Sequence, residues 1–198
     1  MGWMGDEGPS AIRNRFASIS PMSEELEAGT RAGRNRKRKS TRPARIAQYW
    51  MIVSSPENYR KTLERGFTVQ GIKSRHRKRA EMMKPGDRLL FYVTGRMVFT
   101  ATCTLTSGMF EDHTYVWRTS RRDEDYPWRV RIKPGAVLED NEWLPAKDLA
   151  YRLEYVRKWP PEHWTLAFQG HVHQLPQKDF KLIEDEIRRL ERARPVAS

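Results

Sequence analysis

Tyr49-Trp50-Met51-Ile52-Val53-Ser54-Ser55-Pro56 is the stretch on which the reading of this chain turns. With Ile46-Ala47-Gln48 ahead of it, the run is apolar and β-prone, and Ser-Ser-Pro closes it, which is the pattern of a buried strand. The period then changes. Pro56 suits a first helical turn, where its missing N–H costs nothing, and the Ser55 hydroxyl can accept an orphan N–H as N-cap. Tyr59 and Leu63 supply an apolar face, and Gly66 supplies the stop. A strand that enters a capped helix leaves hydroxyls and backbone groups available at its carboxyl end.

Upstream, the character is different. Gly, Ser, Pro and charge dominate residues 1–43, including Arg34-Asn35-Arg36-Lys37-Arg38-Lys39. Such a segment buries too little apolar surface to offset its ordering entropy, so it is expected to be a disordered basic tail. Residues 44–192 form one expected domain, and residues 193–198 an expected disordered end. Met22 and Met51 leave a later translation start open.

Downstream, Phe67 to Ile72 is a second extended piece, interrupted by Gly71. It leads into Lys73-Ser74-Arg75-His76-Arg77-Lys78-Arg79, which becomes a helical turn through Ala80, Met82 and Met83. Lys84-Pro85-Gly86-Asp87 reads as a tight turn. Arg88 to Val93 and Met97 to Thr106 read as strands joined through Thr94-Gly95-Arg96, a hairpin. Gly108 to Asp125 is expected to be a long irregular connection. Tyr126 to Lys133 alternates Trp128, Val130 and Ile132 with Arg129, Arg131 and Lys133, which predicts one buried face and one row of cations. Val137 to Trp143 adds a further predicted strand and Ala146 to Leu149 a helical turn. A short helix over Pro161–Phe168 and an extended piece over His171–Leu175 precede a helix from Pro176 to about Arg192, striped by Phe180, Ile183, Ile187 and Leu190. The predicted class is α+β, with a small barrel-like mixed sheet.

The formal charge of +12 and sequence pI near 10.1 favour a polyanionic partner. Ten Lys/Arg against five Asp/Glu through Arg45 give a net +5, which leaves +7 on the remainder. Nucleic acid is preferred over a membrane, because no stretch is apolar enough to span a bilayer. One cysteine, Cys103, permits no intrachain disulfide, and the first residues lack the apolar core of a signal peptide; a cytoplasmic location is expected. His171 and His173 stand two apart without an evident third ligand, so neither a metal nor another cofactor is expected. The acidic run Asp123-Glu124-Asp125 stands beside Arg121 and Arg122 and reads as solvated charge. Neither a phosphate-cradling glycine loop nor a nucleophile elbow occurs, which argues against an enzyme.

In this order, the stretches Tyr49–Glu57, Gly71-Ile72-Lys73 with the basic run, Met83–Leu89 with Tyr92-Val93, Tyr126–Pro134, and Trp164–Gly170 with Leu175-Pro176 and Asp179–Glu184 resemble the EVE family, a relative of PUA and YTH domains. The resemblance covers about Ala44 to Arg189. It implies a PUA-like small mixed β-barrel with flanking short helices, a C-terminal helix and a concave pocket that binds a base, modified or not, of DNA or RNA. Extruding a base costs a few kcal/mol, and each stack on an aromatic ring returns roughly 1–3 kcal/mol. The expected walls are Trp117, Tyr126 and Trp128. The expected edge-readers are Ser54, Ser55, Tyr59 and Gln70, with Gly71 and Ile72 completing the pocket strand. Lys73, Arg75, His76, Arg77, Lys78, Arg79, Arg129 and Arg131 are the expected phosphate contacts. Gln70 stands where the family commonly has tryptophan, so an adenine N6-methyl cage is not carried over. An effector such as a nuclease is a candidate partner. Two other readings stay open: a small-molecule or peptide adaptor, and an accessory subunit of a nucleic-acid-processing system.

Overall fold

The computed structural model describes residues 45–119 and 124–194. The expected tail, residues 1–43, lies outside the described residues, as do Arg121, Arg122 and Asp123 of the mixed-charge loop. The chain runs β1 (Tyr49–Ser54), α1 (Pro56–Glu64), β2 (Val69–Ile72), α2 (Arg77–Met82), β3 (Arg88–Val93), β4 (Val98–Leu105), β5 (Phe110–Glu111), β6 (Trp128–Val137), β7 (Leu144–Pro145), α3 (Lys147–Ala150), β8 (Val172–Gln174) and α4 (Gln177–Arg192). Short 3₁₀ segments cover Ser74–His76 and Pro161–Phe168.

The sheet is ordered β2-β6-β4-β3-β1-β8, with β5 on β6 and β7 on β4. It is the curled, half-barrel form of the α+β, PUA-like class expected from the sequence. Strand β1 pairs parallel with β3 and antiparallel with β8. Both of its faces are covered, which is why its sequence is continuously apolar rather than alternating. Met51 and Val53 join a core with Tyr92, Phe99 and Phe168, closed by Phe180, Ile183 and Ile187 of α4. Trp50 and Ile52 join the opposite core with Tyr59 of α1, Phe91, and Ala80 and Met83 around α2.

Local signals behave as their chemistry dictates. The Ser55 hydroxyl accepts the Asn58 N–H at 3.2 Å, Pro56 opens α1, and Gly66 takes φ +60° beyond its end. The Lys84–Asp87 turn does more than reverse the chain. Asp87, fully buried, accepts the Gln48 N–H at 2.9 Å, the Trp50 indole at 3.0 Å and the Lys84 N–H at 3.1 Å, and it pairs with Arg45. A carboxylate saturated by donors is a stable buried charge, and this one fixes the entry to β1.

Three segment expectations are corrected. Gly71 does not interrupt β2, which runs through it. Strand β6 does not stop near Lys133. A register shift between Ala101 and Cys103 lets Pro134 sit opposite Cys103, and Gly135 passes within 3.1 Å of Thr102 where a Cβ would stand, so the strand continues to Val137. The separate strand over Val137 to Trp143 is instead the end of β6 and a turn, and pairing resumes at β7. The chain end is also tied down further than expected. Ala193 caps α4, and Arg194 binds Glu142 at 2.6 Å and the Val137 carbonyl at 2.9 Å.

Candidate functional site

Beyond the carboxyl end of β1 the sheet stops and a cavity of about 440 Å³ opens. Ser54 and Ser55 line it from the β1–α1 junction, and Asn58 lines it from the first turn of α1. Lys73, Arg118, Tyr126 and Gly170 stand around it together with the Glu57 carboxylate, Thr94 and Thr119. Asn58 is 5% exposed, and its amide is fully used. Its Oδ1 accepts the Arg118 N–H at 2.7 Å, while Nδ2 donates to the Arg118 carbonyl at 2.7 Å and to the Tyr126 hydroxyl at 3.1 Å. One helical side chain therefore pins the loop before the undescribed segment and a wall residue after it.

Charge at the mouth is arranged around one carboxylate. Glu124 accepts from Lys73 at 2.8 Å, lies 3.1 Å from Arg75, and accepts from the Thr119 hydroxyl at 3.1 Å. Burial works against its ionised form, yet Lys73 and Arg75 outweigh burial and hold its pKa below the usual range. The Lys73 ammonium also sits 5.7 Å from the Tyr126 ring centroid. Desolvation, then the Glu124 charge, push the Tyr126 phenol up to about 12, so it stays protonated.

Beneath the cavity lies His171, 3% exposed. Its Nδ1 stands 3.2 Å from the Val53 carbonyl, its ring meets Tyr126 edge-on at 5.3 Å, and His76 lies 5.8 Å away. Burial first, then Lys73 and His76, drive its pKa down to about 3. The ring is neutral and donates from Nδ1 to the Val53 carbonyl, with the Gly71 backbone near enough to act on it as well.

Tyr126 also borders a second cavity of about 250 Å³, walled by Trp117, Tyr115, Glu124 and Arg129. Trp117 packs against Gly71, where a Cβ would overlap the indole. Its Nε1 donates to the Thr62 hydroxyl at 2.9 Å, and that hydroxyl stands 3.0 Å from Gln70 Oε1. Gln70 Nε2 in turn donates to the Gly71 carbonyl at 2.7 Å. Arg129 braces the other side, 2.6 Å from Asp112, bonded to the Thr114 carbonyl, and 5.3 Å from the Trp117 ring centroid.

Of the residues singled out from sequence, Ser54, Ser55, Lys73 and Tyr126 meet at the larger cavity, and Trp117 and Arg129 wall the adjoining one. Others are placed elsewhere. Tyr59 faces the core, edge-on to Phe67, Phe91 and Trp143, because its helical position points inward. Gln70 is 2% exposed and spends its amide on Thr62 and Gly71; Ile72 is fully buried. Trp128 lines neither cavity: its indole donates to the Ser74 carbonyl at 2.8 Å and carries Arg77 at 4.9 Å. Arg129 breaks the expected row of outward cations, being 4% exposed and paired with Asp112. Arg79 bonds the Val172 carbonyl, which ties α2 to β8, and Arg77 pairs with Glu81 at 2.9 Å. Arg75, Lys78 and Arg131 are exposed, with His76 half-buried beside them.

Sequence reading missed Asn58, Arg118, Gly170 and His171. Asn58 had a signal: an amide one turn after a Ser-Pro cap, at a helix start that faces a strand end. Arg118 and Gly170 gain significance only from tertiary contact.

A curled mixed sheet whose strand ends open on a polar and aromatic cavity defines a PUA-like module. The family model described as EVE domain matches residues 48–186, and the chain belongs to that family. A UPF0310 protein of Pyrococcus abyssi is 26% identical over 69% of this chain and 96% of its own length. One from Pyrococcus horikoshii is 29% identical over the same shares. Among solved structures, the YTH domain of the Zygosaccharomyces rouxii MRB1 protein, in complex with N6-methyladenosine RNA, superimposes with a TM-score of 0.52 at 19% identity, over 73% of this chain and 92% of that one.

Proposed function

We propose that this domain binds nucleic acid by taking one extruded base, modified or not, into the cavity between Asn58, Tyr126 and the Ser54-Ser55 junction. The observation that carries the reading is the Asn58 clamp: a buried amide holds Tyr126 and the Arg118 backbone rigid at the rim of a 440 Å³ space. That volume lies in the range of roughly 300–1,000 Å³ typical of small-ligand sites. Tyr126, 8% exposed, reaches the cavity with part of its ring, the serines and nearby backbone offer hydrogen bonds, and Lys73, Arg75 and Lys78 offer phosphate contacts. The RNA-bound YTH relative supports the same class of ligand.

We read the module as a binder without catalysis. Its one thiol, Cys103, is buried, and desolvation raises it to about 12, so it does not serve as a nucleophile. A binder needs a second protein to act on what it holds, and an effector such as a nuclease is the partner class we favour, in a cytoplasmic setting.

The test is binding of the full chain to single-stranded DNA and RNA, unmodified or carrying 5-methylcytosine or N6-methyladenosine, at low and high salt. Binding should fall steeply with salt, and Tyr126→Ala should weaken it by about tenfold. A Tyr126→Ala protein that binds every strand as tightly as the parent overturns the cavity assignment.

A further inference from the structure

Tyr115 is 74% exposed, an unusual place for an aromatic side chain, and the chain around it is not loose. On one side, the Thr114 N–H donates to Asp112 at 2.8 Å and the Thr114 carbonyl accepts from Arg129. On the other, Val116 is buried, Trp117 is bonded to Thr62, and both backbone groups of Arg118 are held by Asn58. An exposed ring on an anchored loop gives up little conformational entropy when something stacks on it.

The ring also stands beside a second opening. An open groove of about 540 Å³ runs along α1, lined by Lys61, Arg65, Tyr115, Val116 and Arg118 together with Glu57 and Glu64. Lys61 pairs with Glu64 and Arg118 with Glu57, each at 3.0 Å and each between exposed side chains, whereas Arg65 is in no ion pair among the described residues. Exposed pairs of this kind are worth under about 1 kcal/mol and exchange readily for a phosphate. Arg118 and its partner Glu57 both border this groove and the cavity at the end of β1, so a phosphate crossing there takes the place of the Glu57 carboxylate on Arg118.

We infer that Tyr115 and Arg118 form a second nucleotide subsite: the strand leaving the base cavity crosses Arg118 with its phosphate and lays its neighbouring base on the Tyr115 ring. The inference rests on the base-cavity reading above, and it adds a platform for one flanking nucleotide on the α1 side. A phenol stacks on any base, so the subsite contributes affinity and polarity of the strand rather than sequence choice.

The experiment uses the full-length protein and single-stranded DNA with one 5-methylcytosine, or RNA with one N6-methyladenosine, each carrying 2-aminopurine on the 5′ or the 3′ side of the modified base. Affinity for the free nucleosides 5-methyl-2′-deoxycytidine and N6-methyladenosine is measured alongside. The expected result is quenching of 2-aminopurine at one of the two positions. Tyr115→Ala should abolish that quenching and weaken strand binding about tenfold, Tyr115→Phe should restore both, and nucleoside affinity should be the same in all three proteins. Unchanged strand affinity and quenching in Tyr115→Ala overturn the platform and leave the base cavity standing. Nucleoside affinity that falls in step with strand affinity also overturns it, since Tyr115 would then shape the cavity itself. A parent protein that binds none of the strands at low salt overturns both readings.

Discussion

The Asn58 side-chain amide donates to the Tyr126 hydroxyl at 3.1 Å, across a gap of chain that includes four of the eight strands. The same amide nitrogen reaches the Arg118 carbonyl, so a single residue on α1 holds both segments that flank the cavity. Replacing Asn58 with Ala strands the Arg118 N–H and carbonyl and frees Tyr126. Arg118 is itself exposed, so water can replace part of what its backbone loses, and the urea midpoint of Asn58→Ala should drop by the equivalent of roughly 1–2 kcal/mol. Oligonucleotide binding at a temperature where the variant is folded should fall by more than tenfold. Parental affinity in a folded Asn58→Ala protein would show that the clamp does not position the rim.

Gly71 is where the backbone of β2 meets the Trp117 ring. Gly71→Ala should force the indole off the strand and cost about 1–3 kcal/mol, the range for overpacking a well-filled site. Because the chain holds several tryptophans, fluorotryptophan NMR is the suitable readout, with the Trp117 resonance assigned by Trp117→Phe. That resonance should move in Gly71→Ala while the Trp50 resonance stays in place. An unmoved Trp117 signal together with an unchanged unfolding midpoint would contradict the contact.

His171 makes stability depend on pH. Its folded pKa is driven down from 6.5 to about 3, so below pH 6.5 the unfolded chain takes up a proton that the folded protein refuses. Stability is therefore complete above the ordinary imidazole range and declines as pH falls, by roughly 1.4 kcal/mol for each pH unit. His173, lowered to about 4 by burial and then by Arg79, acts in the same direction. Between pH 7 and pH 5 the His171 share amounts to about 2 kcal/mol, read as a shift in urea midpoint. His171→Gln should be less stable at pH 7 but show a visibly flatter profile. Equal slopes in parent and variant would place the pH dependence elsewhere.

The elements that own their sequence were legible. The β1 run, the Ser55-Pro56 cap and the α4 stripe each carry a local reason for their structure, and that reason survives in the folded chain. Strand β6 was read short because Pro134-Gly135 is a stop signal in isolation; only the bulge opposite Thr102 turns it into a continuation. The site was legible where it coincides with strand ends, at Ser54, Ser55 and Lys73. Gln70 and Tyr59 misled because neither residue type shows which face of its element is covered. Tyr59 points into a core assembled from Phe67, Phe91 of β3 and Trp143, which local pattern does not reveal. Arg129 misled for a related reason: strict alternation predicts solvent, but the Asp112–Trp117 loop folds back over that face and supplies both a counterion and a ring.

The pairing of β1 with β8 sets the order in which this protein can be assembled. Val53 bonds to His171 through its own N–H at 2.8 Å, and Trp50, Met51 and Ile52 align with Gln174, His173 and Val172. During synthesis the first strand must wait, with one edge bare, for nearly the whole domain to emerge. Such long-range closure is slow and leaves an apolar edge exposed meanwhile. The floor of the cavity, where Val53 and Gly170 meet above His171, therefore closes only once β8 has emerged, and a nascent chain that stops short of Val172 carries the rim residues without the strand that seats them.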